Sequence, residues 1–173
     1  VKKSALILGG GLSGMTCAVQ LAEEGYEVHI IEKEKELGGI LRRIRYTLTG
    51  EDTQRELKKM IESVKGNERI HVHTNALLRE LSGYVGNFVA TVTVNGKEEK
   101  IDSGVVVVAT GGVEYKPEEY LYGKHDGVKT QLEFEELLAK DSAAAKKMRN
   151  VVMIQCVGCR TRERPYCSRV CCT

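Results

Sequence analysis

Short apolar runs alternate with amphipathic stretches in the first part of the chain. Apolar runs at residues 4–8, 28–31 and 70–73 predict three short strands. Between them, apolar residues recur at helical spacing over residues 12–24 and 51–65, which predicts two helices that each pack by one face. This order of strand, helix and strand is typical of a parallel sheet covered by helices.

The pattern changes in the middle of the chain. Residues 76–102 alternate apolar and polar positions, and Asn95-Gly96 separates two such runs, which is a strong hairpin signal. We therefore expect a small antiparallel meander there. The continuous apolar run at residues 105–109 predicts a parallel strand buried on both faces. A helix in two pieces is expected over residues 133–147, and a last strand over residues 151–154.

The composition is that of a globular protein. Apolar residues make up 42% and charged residues 29% of the chain, enough apolar side chain to form a core. Lys and Arg number 26 against 24 Asp and Glu, and this near balance argues against a dedicated nucleic-acid-binding protein. No apolar run in this sequence is long enough to span a bilayer, and we expect no secretory signal. We expect a cytoplasmic protein, and we expect this chain to be part of a longer one.

A glycine-rich turn follows the first predicted strand. The run Gly9-Gly10-Gly11-Leu12-Ser13-Gly14 matches G-x-G-x-x-G and stands between a predicted strand and a predicted helix, the context in which this motif binds dinucleotides. Gly9 allows the sharp turn, Gly11 lets the backbone approach a pyrophosphate, and Gly14 lets helix and strand pack closely. Leu12 and Ser13 open the helix, whose N-terminus attracts phosphate groups.

Three further features favour FAD as the dinucleotide. Glu32 ends the second strand, where a carboxylate accepts hydrogen bonds from ribose hydroxyls and disfavours NADP, and Lys33 beside it is a further candidate contact. Gly38 and Gly39 complete an E-x5-G-G pattern that resembles the second glycine stretch of flavoproteins with two dinucleotide-binding domains. The predicted meander lies where those FAD domains have theirs. The strand end Ala109-Thr110-Gly111 also resembles their A-T-G segment, which lies near the FAD phosphates and ribose.

These observations predict an α/β fold, a Rossmann-like parallel sheet with an inserted antiparallel β-meander, which is the architecture of an FAD/NAD(P)-binding domain. We assign residues 1–149 to this FAD-binding domain, with the meander at about residues 76–102. Residues 150–173 then begin a second segment that carries a cysteine cluster.

Two groups of polar residues are weaker candidates. Three arginines follow the Gly pair and could balance the charge of a diphosphate, although such a run is more often a solvated face: Arg42, Arg43 and Arg45. The four histidines have no partner at metal-ligand spacing, so we expect them to be structural or exposed: His29, His71, His73 and His125.

Five of the six cysteines lie in the last 18 residues, whereas Cys17 stands alone in a helical apolar pattern and is expected to be a small buried side chain. A terminal cluster favours metal or redox chemistry in a reducing compartment over a disulfide framework. Its members are Cys156, Cys159, Cys167, Cys171 and Cys172. Thiolates at short spacing bind iron–sulfur clusters, but C-x2-C-x7-C-x3-C also suits zinc, and free redox-active thiols are a third possibility. Neighbouring arginines would offset the negative charge of thiolates or a cluster.

The cysteine segment also carries a family resemblance. Gln155-Cys156-Val157-Gly158 and the run from Tyr166 to Cys172 resemble the A subunits of heterodisulfide reductases and the related A-subunit-like iron–sulfur flavoproteins of anaerobes, as do residues 119–123 and 130–133. The resemblance implies a [4Fe-4S] cluster close to the flavin in the full-length protein.

On this resemblance the ligands are Cys156, Cys167, Cys171 and Cys172. Cys159, where family members often have Ser, is an alternate ligand or a spare thiol. Some relatives have further cysteines after the Gly pair, but this chain has none in residues 47–50. It therefore resembles the A-subunit-like branch of the family more closely.

The resemblance implies an FAD-dependent oxidoreductase subunit that passes electrons between flavin and iron–sulfur centres. Its expected partners are the other subunits of a heterodisulfide-reductase-like complex and ferredoxin-like or hydrogenase-type electron carriers, without nucleic acid. No residue is an obvious catalytic acid, base or nucleophile. Two alternatives remain: a thioredoxin-reductase-like dithiol oxidoreductase using Cys156 and Cys159, and a non-catalytic nucleotide-binding scaffold with a structural zinc site.

Overall fold

The computed structural model describes residues 1–167 and residue 169, without the side chains of residues 142, 144 and 145. Backbone packing divides the chain into two units, Val1–Gly111 and a second that begins at Gly112. This division differs from the boundary predicted between residues 149 and 150. That boundary separates the FAD-binding domain from the cysteine segment by function, and it stays a prediction.

The first unit contains a four-stranded, fully parallel sheet and two helices. Its strands are β1 (Ser4–Leu8), β2 (Glu27–Ile31), β3 (Ile70–His73) and β7 (Val105–Val108), in the spatial order β3-β2-β1-β7. Helices α1 (Leu12–Glu23) and α2 (Thr53–Lys65) connect the first three strands. The predicted parallel sheet with its helices is therefore confirmed. The expectation that β7 is buried on both faces is wrong, because β7 lies at the edge of this sheet and Val105 and Val108 are 43% and 72% exposed.

The second helix starts two residues later than its sequence pattern predicts. Asp52 precedes it, and its carboxylate accepts hydrogen bonds from the backbone N–H groups of Gln54 at 2.8 Å and Arg55 at 3.3 Å. A side chain that satisfies the free N–H groups of the first turn defines the start of a helix. Asp52 is thus the capping residue of α2, and Glu51 lies outside the helix.

A separate antiparallel sheet forms the predicted meander. It consists of β4 (Ala76–Tyr84), β5 (Asn87–Val94) and β6 (Lys97–Ser103), with Asn95-Gly96 in the β5–β6 turn. Asn95 adopts a φ of +48° and Gly96 a φ of +82°, which is the left-handed backbone that this dipeptide favours in hairpin turns.

Two apolar clusters cover the two faces of the parallel sheet. On one face, Ile7 and Ile30 pack against Met15 of α1 and Leu57 of α2. On the other face, Leu6 and Ile31 pack in a second cluster with four residues of the meander: Ala76, Ala90, Val92 and Ile101. The sheet is therefore the middle of three layers, which explains the continuous apolar character of β1.

The second unit contains two short helices, α3 (Gln131–Lys140) and α4 (Ser142–Lys147), so the prediction of a helix in two pieces is confirmed. Thr130 caps α3 in a reciprocal arrangement, since its hydroxyl accepts from the N–H of Glu133 and the Glu133 carboxylate accepts from the N–H of Thr130. None of the helices in the described part of the chain is long and apolar enough to cross a membrane.

The strand predicted over residues 151–154 is wrong. These four residues have no regular secondary structure, and their side chains are exposed, Val152 by 83%. A β-branched apolar run forms a strand only when neighbouring strands satisfy its backbone and cover its side chains, and this segment has no such neighbour within the described part of the second unit.

Candidate functional site: a glycine-lined crevice at the strand ends

The turn between β1 and α1 depends on two glycines for steric reasons. Gly9 has a φ of +110°, and a Cβ there would fall on the carbonyl oxygen of Ala109. A Cβ at Gly14 would fall on the carbonyl oxygen of Gly9. Any side chain at either position would therefore push α1 or the end of β7 away from β1, so the predicted roles of these two glycines agree with the packing.

Gly11 has a different environment. It precedes α1 with a φ of −76°, and a Cβ built there would have no heavy atom within 4 Å. Among the described residues, no side chain caps the first turn of α1, and that turn contains no acidic residue. The free N–H groups and the positive end of the helix thus face open space, where an anion would be stabilised. Leu12 and Ser13, which begin the helix, are exposed.

Gly10 connects three segments of the site, although the motif leaves its position free. Its N–H donates to Oε2 of Glu32 at 2.7 Å, and its carbonyl oxygen accepts from the N–H of Gly38 at 2.8 Å. A Cβ at Gly10 would overlap a methyl group of Leu37 and lie 3.0 Å from the Glu32 carboxylate. Sequence reasoning missed this residue because its partners lie more than 20 positions away along the chain.

Glu32 is held in place at the end of β2. It is only 5% exposed, and its second oxygen, Oε1, accepts from the N–H of Glu34 at 2.9 Å. A carboxylate offers about four lone-pair positions, so two acceptor positions remain for hydroxyl groups. Lys33 is exposed, and its ammonium lies 4.0 Å from the Glu34 carboxylate.

The Gly38–Gly39 pair lies directly against the glycine turn. Gly38 has a φ of +119° and Gly39 a φ of +52°, and a Cβ on Gly39 would lie 3.4 Å from the Cα of Gly11. A short 3-10 helix, Gly39–Arg42, follows the pair. The pair predicted from E-x5-G-G is therefore next to the turn predicted from G-x-G-x-x-G.

The end of β7 completes the crevice. The N–H of Ala109 donates to the carbonyl oxygen of Leu8 at 2.8 Å, which extends the pairing of β7 with β1 by one residue. Thr110 and Gly111 beyond it are exposed, and Gly111 has a φ of +66°. The carboxyl ends of β1, β2 and β7 thus meet at one edge of the sheet, the place where open α/β sheets bind ligands.

These features fit a dinucleotide. Because Gly11 has no side chain, the space next to it stays open for a ligand. The first turn of α1 supplies N–H donors for phosphate groups, and Glu32 supplies a carboxylate that is held in place by the N–H of Gly10. Gly39 lies against Gly11 with no side chain between them.

The cysteine segment is described only in part. The Sγ of Cys156 lies 3.9 Å from Nη1 of Arg160, and Sγ of Cys167 accepts from the N–H of Arg169 at 3.4 Å. The N–H of Cys159 donates to the carbonyl oxygen of Cys156 at 3.3 Å. Two of the predicted ligands, Cys171 and Cys172, lie outside the described residues. Within residues 1–167 and 169, no three His, Cys, Asp or Glu side chains are placed to hold a metal ion.

Other sequence candidates have local roles. Arg42 binds its own loop, since Nε donates to the carbonyl oxygen of Leu37 and Nη1 lies 2.8 Å from Oε2 of Glu36. Cys17 is partly buried against the apolar cluster beneath α1.

Three histidines meet on the meander side of the sheet. Nδ1 of His29 lies 3.2 Å from Nε2 of His73, and the rings of His29 and His71 have centroids 4.9 Å apart. Burial, followed by the neighbouring imidazoles, lowers the pKa of His29 to about 4. Burial also lowers the pKa of His73. The in-register pairing of β2 with β3 creates this cluster, which the separate positions along the chain do not reveal.

Comparison with known proteins agrees with this geometry. The model of the NAD(P)-binding Rossmann-like domain family matches residues 7–70. An iron–sulfur A subunit of the CoB–CoM heterodisulfide reductase of Methanopyrus kandleri is 24% identical in an alignment that covers 99% of this chain and 40% of the relative. The A subunit of the H2/formate:CoB-CoM heterodisulfide,ferredoxin reductase of Methanococcus maripaludis is 26% identical with the same coverage.

This chain therefore spans about two fifths of the length of these relatives. The alignment with the Methanopyrus kandleri protein extends over 269 positions, more than the 173 residues of this chain. That relative therefore contains segments that have no counterpart here.

Solved structures show the same fold at low sequence identity. L-proline dehydrogenase from P. horikoshii has a TM-score of 0.56 and 24% identity, with 64% of this chain and 23% of that chain covered. Thioredoxin reductase from Lactococcus lactis has a TM-score of 0.56 and 18% identity, with 70% and 41% covered. Over nearly its whole length, the chain is thus similar in sequence to heterodisulfide reductase A subunits, and it has the fold of an FAD/NAD(P)-binding domain of the Rossmann-like type.

Proposed function

We propose that this chain is the flavin-binding part of an oxidoreductase subunit that passes electrons between FAD and iron–sulfur centres in a heterodisulfide-reductase-like complex. The observation that carries the proposal is the meeting of three glycine segments and Glu32 at one edge of the parallel sheet, in a homologue of heterodisulfide reductase A subunits. The whole protein's partners and substrates form part of the proposal.

FAD is favoured over NAD by what surrounds the first glycine turn. Gly38 and Gly39 pack on Gly10 and Gly11, so a second glycine segment lines the crevice in addition to the usual turn. The meander fills the crossover between β3 and β7, where a plain NAD domain would continue with a helix and a strand. Both features were expected of FAD domains on the sequence alone.

The residues of this chain bind and orient the cofactor. The N–H groups at the start of α1 would donate to the diphosphate, and Gly11 lets the diphosphate approach the backbone. Glu32 would accept hydrogen bonds from the ribose hydroxyls, with its orientation fixed by the N–H groups of Gly10 and Glu34. When bound, FAD supplies the exchange between two-electron and one-electron transfer.

The cysteine segment would hold the iron–sulfur cluster. Cys156, Cys167, Cys171 and Cys172 are the proposed ligands, because thiolates are the usual ligands of such clusters. The guanidinium of Arg160 near Cys156 supports the proposal, since a nearby cation stabilises thiolates and offsets cluster charge.

The proposed partners are the other subunits of the complex and ferredoxin-like or hydrogenase-type electron carriers, and the proposed location is the cytoplasm. The relatives support the partners, since those from Methanopyrus kandleri and Methanococcus maripaludis are named as subunits of reductases.

Anaerobic purification of the full-length protein tests the proposal. We expect about one FAD, together with iron and acid-labile sulfide. Glu32→Ala should lower the FAD content and leave the iron content unchanged, whereas Cys167→Ser should lower the iron and sulfide content. Cys17→Ser is the matched control, because Cys17 lies against the apolar core and should leave both contents unchanged.

Two other outcomes would contradict the proposal. Zinc without iron or flavin would identify a structural metal site on a non-catalytic scaffold. A reversible Cys156–Cys159 disulfide whose loss in Cys159→Ser abolishes dithiol activity, with no iron in the wild-type protein, would identify a thioredoxin-reductase-like enzyme.

A further inference from the structure

The segment between β2 and α2 lines the crevice but has little regular structure. From Leu37 to Tyr46 its regular structure consists of the 3-10 helix Gly39–Arg42 and an isolated β-bridge of Tyr46 with Asp52. The single turn of the 3-10 helix is held by short-range bonds such as Leu41 N–H to the Gly38 carbonyl at 3.2 Å. Isolated turns of this kind are weak, so the position of the Gly pair depends on contacts from outside the turn.

Contacts from the glycine turn hold one end of the segment. The Gly38 N–H donates to Gly10, and Gly39 lies next to Gly11. Arg42 stabilises the same end locally, because its guanidinium donates to the Leu37 carbonyl and forms an ion pair with Glu36. These bonds lie within or before the 3-10 helix, so they do not set where its carboxyl end lies.

Gln54 holds the other end. Its Nε2 donates to the carbonyl oxygen of Leu41 at 2.8 Å and also to the carbonyl oxygen of Ile44. The neighbouring Thr53 donates its hydroxyl to the same Ile44 oxygen, and its N–H donates to the Arg45 carbonyl at 3.1 Å. Because Asp52 already caps the backbone of α2, the Gln54 carboxamide is available for the loop.

We propose that Gln54 is a positioning residue for the bound dinucleotide, which acts by tying the carboxyl end of the Gly39–Arg42 turn to the first turn of α2. The turn that follows the Gly38–Gly39 wall of the crevice is then held at both ends, by Gly10 at one and by Gln54 at the other. This inference rests on the proposed function, since it concerns how tightly that site binds FAD. The Gln54 carboxamide donates to Leu41 and Ile44, so it acts on the Gly pair through the turn.

The test compares three variants of the full-length protein. Gln54→Met keeps the length and helix propensity of the side chain but removes both donors, whereas Gln54→Lys keeps a donor. Lys58→Met places the same residue one helical turn further on, where the native side chain is 80% exposed and its ammonium lies 3.9 Å from the Glu62 carboxylate. FAD titration of the apoprotein gives the Kd, and hydrogen exchange of residues 37–46 reports the loop.

We expect Gln54→Met to raise the Kd for FAD about 10-fold, the effect of losing roughly 1.4 kcal/mol of binding free energy. It should also accelerate exchange in residues 37–46 and alter the visible circular dichroism of the bound flavin. Gln54→Lys should recover most of the affinity, and Lys58→Met should match the wild type. A purely structural role would lower the melting temperature without changing the Kd or the flavin spectrum.

Two results would overturn the inference. If Gln54→Met bound FAD as tightly as the wild type, or if Lys58→Met weakened binding equally, Gln54 would have no positioning role although the proposed function stood. A wild-type protein that bound no FAD would instead overturn the proposed function, and the inference with it.

Discussion

The amide nitrogen of Gly10 lies 2.7 Å from Oε2 of Glu32, and this hydrogen bond joins the glycine turn after β1 to the end of β2. It fixes the side chain of Glu32 from the protein side, so the carboxylate is oriented before any ligand arrives. Such pre-organisation reduces the conformational entropy that is lost when a ligand binds.

Gly10→Ala should destabilise the protein, although Gly10 is a free position of the motif. The new methyl group would overlap Leu37, which is buried, and crowd the Glu32 carboxylate. Overpacking of this kind costs about 1–3 kcal/mol in the free energy of unfolding. Urea denaturation would measure the loss. A variant as stable as the wild type would show that Leu37 moves aside freely.

Gly11→Ala should weaken FAD binding but leave the stability of the protein nearly unchanged. The added Cβ meets no protein atom within 4 Å, and the φ of −76° suits any residue, so the free energy of unfolding should change by less than about 0.5 kcal/mol. FAD affinity should nevertheless fall, because the methyl group enters the space proposed for the diphosphate. Titration with FAD and urea denaturation on the same variant separate the two effects.

Gly14→Ala is the matched comparison, since its Cβ would fall on the Gly9 carbonyl and must displace backbone. We expect this variant to lose more stability than Gly11→Ala. Equal stability of the two variants would contradict the close packing of α1 on β1.

Stability should fall as the pH decreases from about 6.5 to 4. His29 has its pKa lowered to about 4 in the folded protein, by burial first and then by His71 and His73. Between these pH values the unfolded chain binds a proton that the folded chain does not, so protonation favours unfolding. Above pH 6.5 this contribution is fully present, and below about pH 4 it is lost.

Urea denaturation at a series of pH values would measure this slope. His29→Phe should flatten the slope between pH 6.5 and 4, whereas His125→Asn, at an exposed position in the second unit, should leave it unchanged. Identical slopes for the wild type and His29→Phe would assign the acid sensitivity to other groups.

Glu133→Ala should loosen α3. Hydrogen bonds from Lys116 at 2.8 Å and Tyr122 at 2.6 Å, with the N–H of Thr130, lower the pKa of Glu133 to about 2. Loss of the carboxylate that accepts from the N–H of Thr130 removes half of the reciprocal cap, and a hydrogen bond of this kind contributes about 0.5–1.5 kcal/mol. Hydrogen exchange in residues 131–140 should accelerate.

Glu136→Ala, which removes the pair with Lys140 at 3.6 Å, is the control and should affect exchange little. In the wild type, the contribution of Glu133 should be present above about pH 4.5 and be lost as the pH falls toward 2, because its pKa is lowered in the folded state. Equal exchange in the two variants would contradict the capping role.

Much of the fold could be predicted because its causes are local. The apolar runs of β1 and β2, the hairpin at Asn95-Gly96 and the glycine turn each depend on residues close together in the sequence. The strand predicted over residues 151–154 failed for the complementary reason, since a strand needs partners that its own sequence cannot supply.

The candidate site divides in the same way. The sequence alone predicted that three glycine segments meet at one edge of the sheet, because G-x-G-x-x-G, E-x5-G-G and A-T-G each follow a strand end, and parallel strands bring those ends together. Only the tertiary structure decided that Gly10 must lack a side chain, that Gln54 holds the carboxyl end of the Gly39–Arg42 turn, and that His29 meets His73. Each of these depends on contacts between residues separated by at least 10 positions. Tertiary packing brings those residues together, and their spacing along the chain does not encode it.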